Sequence, residues 1–277
     1  MSLAFTKMHG LGNDFVVIES DADNRLPTRE DWRRLANRHT GIGFDQALVI
    51  EPARRADTSV FYRVFNADGG EVEQCGNGAR CIAAYLHRSG RIATGDLLLD
   101  SLAGVVAARV FDRGVVAVDI GRPNFEPASL PFDAQAVALS YALAISEHEA
   151  VDIGAVSMGN PHAVLQVAAV SEAPVERLGP LIERHARFPQ RVNVGFMEIR
   201  SRQAIRLRVF ERGVGETLAC GTGACAAVAV ARHRDQVDAV VQVELPGGCL
   251  EVSWPSPDDH IWLKGPTAVS FTGKVTL

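Results

Sequence analysis

The sequence predicts an α+β protein made of two similar domains, and three observations support this prediction. The chain has 277 residues, which is enough for two domains of roughly 130 residues, each with its own core. A segment that starts at Phe65 recurs from Phe210, and each copy contains a cysteine followed by Gly-x-Gly. Strand-like and helix-like segments flank the two copies in the same order, so each half is predicted to repeat one fold.

The composition is typical of a globular protein, and the net charge favours a small-molecule partner. It is 47% hydrophobic and 22% charged, and the net charge of -5 argues against the basic surface that nucleic-acid binding requires. The longest apolar run, Ala224 to Ala231, is shorter than the ~20 residues of a membrane span. With no secretory signal pattern at the N-terminus, we expect a cytoplasmic protein that binds neither nucleic acid nor membrane. The three lysines lie outside any motif, which gives pyridoxal phosphate chemistry little support.

The two copies of the repeat align cysteine with cysteine. Cys75 and Cys220 are 145 residues apart, and the flanking Phe, Gly, Glu and Ala positions coincide as well. At a spacing of 147 residues, GNDFVV from Gly12 corresponds to GNPHAV from Gly159. Gln46 and Asn193, which each precede an apolar strand, match at the same spacing. The order of these matches is the same in both halves, which favours an internal duplication.

Helices are predicted between the paired matches and after each cysteine. Arg29 to His39 follows Thr28, a favourable N-cap, and Val175 to Arg187 follows Pro174, which suits a first helical turn. The helix after Cys75 has apolar spacing and is expected to end at Gly90. The helix after the second cysteine is apolar on nearly every side, so it should be buried, with a sheet around it.

Strands are predicted where β-branched residues alternate, and Gly and Pro mark the junction of the two halves. The junction is the segment from Gly121 to Pro127. The predicted strands are Ser59 to Phe65, Gly104 to Val110, Val115 to Ile120, Ala204 to Phe210 and Val240 to Leu245.

Cysteines at two helix N-termini suggest proton transfer. Unpaired N–H groups and the positive end of the helix dipole lower a thiol pKa from ~8.5 toward neutrality. Glycines beside the thiol let the backbone approach a substrate carboxylate. Inversion of a tetrahedral carbon needs a base on one face and an acid on the other. We therefore predict that Cys75 and Cys220 face one cleft as the acid and base pair.

Other readings of the cysteines and glycines have less support. Cys81, Cys225 and Cys249 lack the flanking glycines or a partner in the other half, so we expect them to be buried structural residues. Their spacings from the paired cysteines do not match zinc knuckles, and no metal is predicted. A dinucleotide fingerprint is a further alternative, but its glycines do not follow directly on a strand. The residues that would form it are Gly221, Gly223, Ala226 and Glu244.

Five segments together resemble the pattern of the diaminopimelate epimerase family, in family order from Met8 to Cys225. They are MHGLGNDFVVIE, NADGGEVEQCGNGARC, VSMGNPHAV, RVNVGFMEI and ERGVGETLACGTGAC. The resemblance implies an α+β fold of two pseudo-symmetric domains, each a mixed β-sheet curled into a barrel around a central helix. It places the domains at residues 1–120 and 121–263, with residues 264–277 packing back onto the first.

The resemblance also implies a function. Members interconvert LL- and meso-diaminopimelate without a cofactor, for lysine and peptidoglycan precursor synthesis, and we expect a homodimer. By the resemblance Cys75 and Cys220 are catalytic, and His162 and Glu211 tune the thiol pKa values. Carboxamides and a Glu-Arg pair suit the two zwitterionic ends of such a substrate. The positions that match substrate contacts are Asn13, Gln46, Asn66, Gly76, Asn77, Asn160, Asn193, Glu211, Arg212, Gly221 and Thr222.

Related classes remain as alternatives. Proline and hydroxyproline racemases also use paired cysteines, but the motifs fit them less well, and PhzF-like isomerases lack the pair. A binding protein without catalysis would bind the amino acid and leave its Cα proton unexchanged. For any single asparagine of the set, turn formation is the alternative role.

Overall fold

The computed structural model describes residues 2–20, 26–73 and 76–277. The chain divides into two compact units, Met1–Asp119 with Lys264–Leu277, and Ile120–Leu263. No helix in the described part of the chain has the length and apolar character needed to cross a membrane.

Within the described residues, eighteen strands and four α-helices are numbered in chain order. The first part contains β1 (Ser2–Gly10), β2 (Asn13–Glu19), α1 (Arg29–Ala36), β3 (Gln46–Glu51), β4 (Phe61–Asn66), β5 (Glu71–Val72), α2 (Gly76–Arg88), β6 (Gly95–Ser101), β7 (Gly104–Val110) and β8 (Val115–Gly121). The remainder contains β9 (Tyr141–Ala144), β10 (Ala150–Ser157), β11 (Pro161–Gln166), α3 (Val175–Glu183), β12 (Asn193–Ser201), β13 (Ala204–Glu211), β14 (Gly215–Thr217), α4 (Gly221–His233), β15 (Val240–Leu245), β16 (Gly248–Ser253), β17 (Ile261–Pro266) and β18 (Ala268–Thr276).

In the first unit a mixed sheet packs against α2. Strand β1 pairs antiparallel with β2 and β18, β2 pairs parallel with β3, and β3 pairs antiparallel with β4. Strand β4 then pairs antiparallel with β5 and parallel with β6. Helix α2 contacts β1 and β7, and its residues from Asn77 to Ala84 are all buried. The start of α2 is therefore fixed by the core of the unit.

The second unit repeats these pairings around α4. Strand β10 pairs antiparallel with β9 and β11, β11 pairs parallel with β12, and β12 pairs antiparallel with β13. Strand β13 pairs antiparallel with β14 and parallel with β15. Ten of the residues of α4 are buried, including the run from Gly223 to Ala231. The predicted α+β fold, with a buried helix and a mixed sheet in each half, is confirmed.

Helices α1 and α3 each cover a further apolar cluster. Trp32 of α1 stacks on Phe65 with ring centroids 5.3 Å apart. In the second unit Leu178 and Ile182 of α3 pack with Phe188. These clusters anchor the strands whose ends carry the predicted site residues.

Several predicted element ends were wrong. Helix α1 ends at Ala36, because the Asn37 side chain accepts hydrogen bonds from the N–H groups of His39 and Thr40 and turns the chain. Helix α3 ends at Glu183 instead of Arg187, and Pro174 is its N-cap, one position before the first turn. Strand β4 begins at Phe61, two residues later than predicted.

The prediction that Cys249 is buried was also wrong. Its side chain is exposed and donates to the Oε1 atom of Gln242 at 3.4 Å. Strand β16 alternates faces, so Leu250 and Val252 point into the core while Cys249 points outward. The burial predicted for Cys81 and Cys225 is confirmed.

Candidate active site

Four predicted site residues of the first unit are joined in two hydrogen-bonded pairs. Gln46, at the start of β3, lies opposite Asn66, at the end of β4, and its Nε2 donates to the Asn66 Oδ1 at 2.9 Å. Asn77, in the first turn of α2, donates from Nδ2 to the Oδ1 of Asn13 at 3.1 Å. Strand register and helix position thus place these carboxamides in pairs.

The predicted catalytic Cys75 lies outside the described residues. Gly76, which follows it, is the first residue of α2. The helix predicted to follow Cys75 is confirmed, and the position and role of Cys75 itself stay predictions.

A hydrogen-bonded chain fixes the orientation of the Asn77 and Asn13 carboxamides. Arg80, which is fully buried, donates from Nη2 to the Asn77 Oδ1 at 2.7 Å. At the other end the Asn13 Nδ2 donates to the Oδ2 of Asp45 at 3.0 Å. A guanidinium only donates and an ionised carboxylate only accepts. Between these ends, both amides have one favourable orientation, with the NH2 group directed away from Arg80.

No role was predicted from the sequence for Arg80 or Asp45. The available signal in the sequence was a charged residue, Arg80, next to the apolar stretch of the helix and just after the CGNG motif. Arg80 also donates from Nη1 to the carbonyl oxygen of Pro266 at 3.0 Å, a residue far along the chain. This long-range partner explains how the helix tolerates a buried guanidinium.

Charged residues hold the start of β2, where Asn13 lies. Asp14 accepts two hydrogen bonds of 2.8 Å from Arg38 and one from Lys7, which also donates to the Gly43 carbonyl. Burial raises the pKa of the Asp14 carboxyl, but the hydrogen bonds from Arg38 and Lys7 outweigh it and hold that pKa well below its usual range. Asp14 is therefore ionised at neutral pH, and its backbone N–H donates to Asp45 at 3.0 Å.

The second unit has a related arrangement around Cys220, the N-cap residue of α4. The Asn160 Nδ2 donates to the Thr222 Oγ1 at 3.4 Å, and that oxygen lies 3.7 Å from the Cys220 Sγ. His162 Nε2 is 3.0 Å from the Asn160 Oδ1. Gly221 and Thr222 begin α4, as Gly76 and Asn77 begin α2. In each unit an asparagine carboxamide is thus hydrogen-bonded to the second helical residue.

The pKa of Cys220 is raised, which is opposite to the lowering expected for a thiol at a helix N-terminus. Burial raises the pKa of this thiol, the Glu211 carboxylate raises it further, and the hydrogen bonds from Thr222 and Gly223 lower it only in part. Because the resulting pKa lies well above the ordinary value of a thiol, Cys220 is protonated at neutral pH. A Cβ atom at Gly223 would lie 3.2 Å from the Cys220 Sγ, so the second glycine of CGTG keeps space beside the sulfur.

His162 is neutral at physiological pH. It is 1% exposed, and burial lowers the pKa of its imidazole to about 3, with the nearby Arg212 charge as a smaller cause. Its path to the thiol runs through Asn160 and Thr222. The role of His162 in tuning the thiol pKa stays a prediction. A neutral His162 would act on the thiol through the hydrogen bonds of Asn160 and Thr222.

Asn193, Glu211 and Arg212 are brought together at the turn after β13. The Asn193 Oδ1 accepts from the backbone N–H of Arg212 at 2.9 Å, and its Nδ2 donates to the Pro161 carbonyl at 3.1 Å. Glu211 accepts from the Thr217 hydroxyl at 2.6 Å. The Arg212 side chain is exposed on this turn. In the described ranges, no group of three or more His, Cys, Asp or Glu side chains is placed to hold a metal ion.

The fold is shared with several solved structures. A PhzF-family phenazine biosynthesis protein from Bacillus anthracis matches with a TM-score of 0.71 at 17% identity, over 100% of both chains. A probable proline racemase from Agrobacterium radiobacter matches with a TM-score of 0.70 at 18% identity, over 99% of this chain and 93% of that one. The architecture is therefore that of the PhzF and proline racemase proteins.

The sequence comparisons identify the family. The family model for diaminopimelate epimerase matches residues 5–126 and 154–270. The diaminopimelate epimerase of Aromatoleum aromaticum is 52% identical over 99% of both chains. That of Halorhodospira halophila is 53% identical over 99% of this chain and 96% of the relative. The chain belongs to the diaminopimelate epimerase family.

Proposed function

We propose that this protein interconverts LL- and meso-diaminopimelate, without a cofactor, by moving the Cα proton between Cys75 and Cys220. The supporting observation is the duplicated Cys-Gly-x-Gly motif, whose glycines Gly76 and Gly221 begin the buried helices α2 and α4, in a chain 52% identical to a diaminopimelate epimerase. The product would supply lysine and peptidoglycan precursor synthesis.

The proposed step conserves protons and electrons. A thiolate removes the Cα proton and becomes a thiol, and the C–H electron pair stays on the substrate as a carbanion. The second thiol then protonates the carbanion from the opposite face and becomes the thiolate. Burial and Glu211 favour protonated Cys220, which suits this thiol to the acid role in one direction of the reaction. The reverse reaction exchanges these roles.

Substrate recognition is proposed to use the polar side chains at the strand and helix ends. The Oδ1 atoms of Asn13 and Asn77 both accept hydrogen bonds, so these two side chains present their NH2 groups as donors. Such donors suit a substrate carboxylate. The guanidinium of Arg212 suits bidentate contact with a carboxylate. The further proposed contacts are Gln46, Asn66, Gly76, Asn160, Asn193, Glu211, Gly221 and Thr222.

Exchange in D2O tests the chemistry. Reduced protein is incubated with LL-diaminopimelate, and NMR follows the loss of the Cα proton signal and the appearance of the meso isomer. We expect exchange and formation of the meso isomer without added cofactor, and loss of meso-isomer formation in Cys75→Ala and Cys220→Ala, because inversion needs both an acid and a base. Cys249→Ser is the matched control, since this thiol is exposed on β16, and it should retain wild-type rates.

The two-thiol proposal fails if either alanine variant keeps more than about a tenth of the wild-type kcat, a barrier increase of under ~1.4 kcal/mol. Proline serves as the competing substrate, because a proline racemase shares the fold. A kcat/KM for proline comparable to that for diaminopimelate would move the assignment to another racemase.

The assembly and location of the protein are proposed on the family resemblance. A homodimer would give twice the chain mass in light scattering coupled to size-exclusion chromatography, and a monomer at micromolar concentration would contradict it. Cytoplasmic location would place the protein with a cytoplasmic marker on cell fractionation, and release with the periplasm would contradict it.

A further inference from the structure

Glu183 is a buried carboxylate in the second unit for which no role was predicted from the sequence. It is the last residue of α3 and is 1% exposed. Burial of an ionised carboxylate is costly unless hydrogen bonds or charges compensate. Arg184 and Arg191 approach its oxygens at 3.3 and 3.7 Å, but both of these side chains are exposed to solvent.

The close partner of this carboxylate is a backbone group. Oε1 of Glu183 accepts from the N–H of Gly213 at 2.8 Å. The preceding N–H, of Arg212, is held by the Asn193 Oδ1 at 2.9 Å. Gly213 has a φ of +76°, which favours glycine. Two buried side chains thus hold consecutive N–H groups of the turn between β13 and β14.

This turn carries Glu211 and Arg212. The Glu211 carboxylate raises the pKa of Cys220 and accepts from Thr217. A displacement of the turn would therefore move both a group that acts on the thiol and a guanidinium that suits the substrate. We propose that Glu183 is a positioning residue that holds Glu211 and Arg212 in place through its hydrogen bond to Gly213. The kinetic part of this proposal rests on the proposed epimerisation.

Two variants separate the effect of the length of the Glu183 side chain from the effect of its charge. Glu183→Gln keeps an acceptor oxygen at the same reach and removes the charge. Glu183→Asp keeps the charge, but its side chain is one methylene shorter and cannot reach the Gly213 N–H without movement. If the hydrogen bond is what matters, the Gln variant keeps KM within about threefold of wild type. The Asp variant raises KM for diaminopimelate about tenfold or more, because small displacements in a site are costly.

Glu198 provides the matched control. It is also a buried carboxylate of this unit, it accepts from the backbone N–H of Val170 at 2.9 Å, and it pairs with Arg200 at 2.7 Å. The loop it holds carries none of the proposed site residues. Glu198→Asp should lower the thermal midpoint comparably to Glu183→Asp, with kcat and KM within about twofold of wild type.

A readout that needs no activity separates failure of this proposal from failure of the proposed function. Peptide mass spectrometry measures the rate of Cys220 alkylation by iodoacetamide against pH. Glu183→Asp should shift this profile to lower pH, because the Glu211 carboxylate that raises the thiol pKa is displaced, whereas Glu183→Gln should follow wild type. Wild-type protein without Cα exchange would refute the epimerase proposal alone. Equal profiles for wild type and both variants, or a shift for Gln and not for Asp, would overturn the role of Glu183.

Discussion

Replacing His162 with glutamine tests whether a neutral buried imidazole contributes to the pH dependence of stability. The Gln side chain can still donate to the Asn160 Oδ1, which His162 approaches at 3.0 Å, but it does not titrate. In the wild type, burial lowers the pKa of His162 to about 3, whereas an unfolded histidine titrates near 6.5. Between these values the unfolded state binds a proton that the folded state does not.

The sign and size of the effect follow from this difference. Because the unfolded state holds more protons between pH about 3 and 6.5, the free energy of unfolding rises with pH in this window. The contribution is fully present above the unfolded pKa and is lost as the pH falls, with a slope of up to about 1.4 kcal/mol per pH unit. Between pH 6 and pH 4 the His162 contribution to stability should fall by about 2.5 kcal/mol.

Urea denaturation followed by circular dichroism at pH 6, 5 and 4 measures this change. Other groups titrate over the same range, so the relevant quantity is the difference between wild type and His162→Gln. We expect the wild type to lose stability more steeply, and the difference to change by about 2.5 kcal/mol from pH 6 to pH 4. A difference that stays constant within about 0.5 kcal/mol would refute a neutral buried His162.

Two further predictions concern packing and capping. A Cβ atom at Gly154 would lie 2.3 Å from the Val230 Cγ1, whereas at Gly195 the nearest atom is 3.4 Å away. Gly154→Ala should therefore lower the free energy of unfolding by about 1–3 kcal/mol, and Gly195→Ala by less; equal losses in urea denaturation would contradict the packing argument. Thr28 and Asp31 form a capping box at the start of α1, so Thr28→Ala should cost about 1 kcal/mol and Thr28→Ser should restore most of it. A thermal midpoint unchanged in Thr28→Ala would refute the cap's contribution.

Local patterns predicted the repeated order of strands and helices. The CGNG and CGTG motifs mark the starts of α2 and α4, and the Thr28 cap was confirmed. The end of α1 was missed because Asn37 binds backbone groups of its own turn, which hydrophobic spacing does not show. The site residues remain predictions from the family pattern, supported by the hydrogen bonds that join Asn77 to Asn13 and Asn160 to Thr222.

The sequence by itself determined the repeated order of strands and helices, the starts of α1 to α4 and the family resemblance, because periodicity, capping and motifs are properties of neighbouring residues. Only the tertiary structure decided which polar groups are buried and what they bind. Arg80 reaches Pro266, and Glu183 reaches Gly213, across segments that no local pattern connects. The same holds for the pKa of Cys220, where burial outweighs the helix N-terminus. Desolvation depends on how the whole unit packs around a group, and that packing is set by contacts distant in sequence.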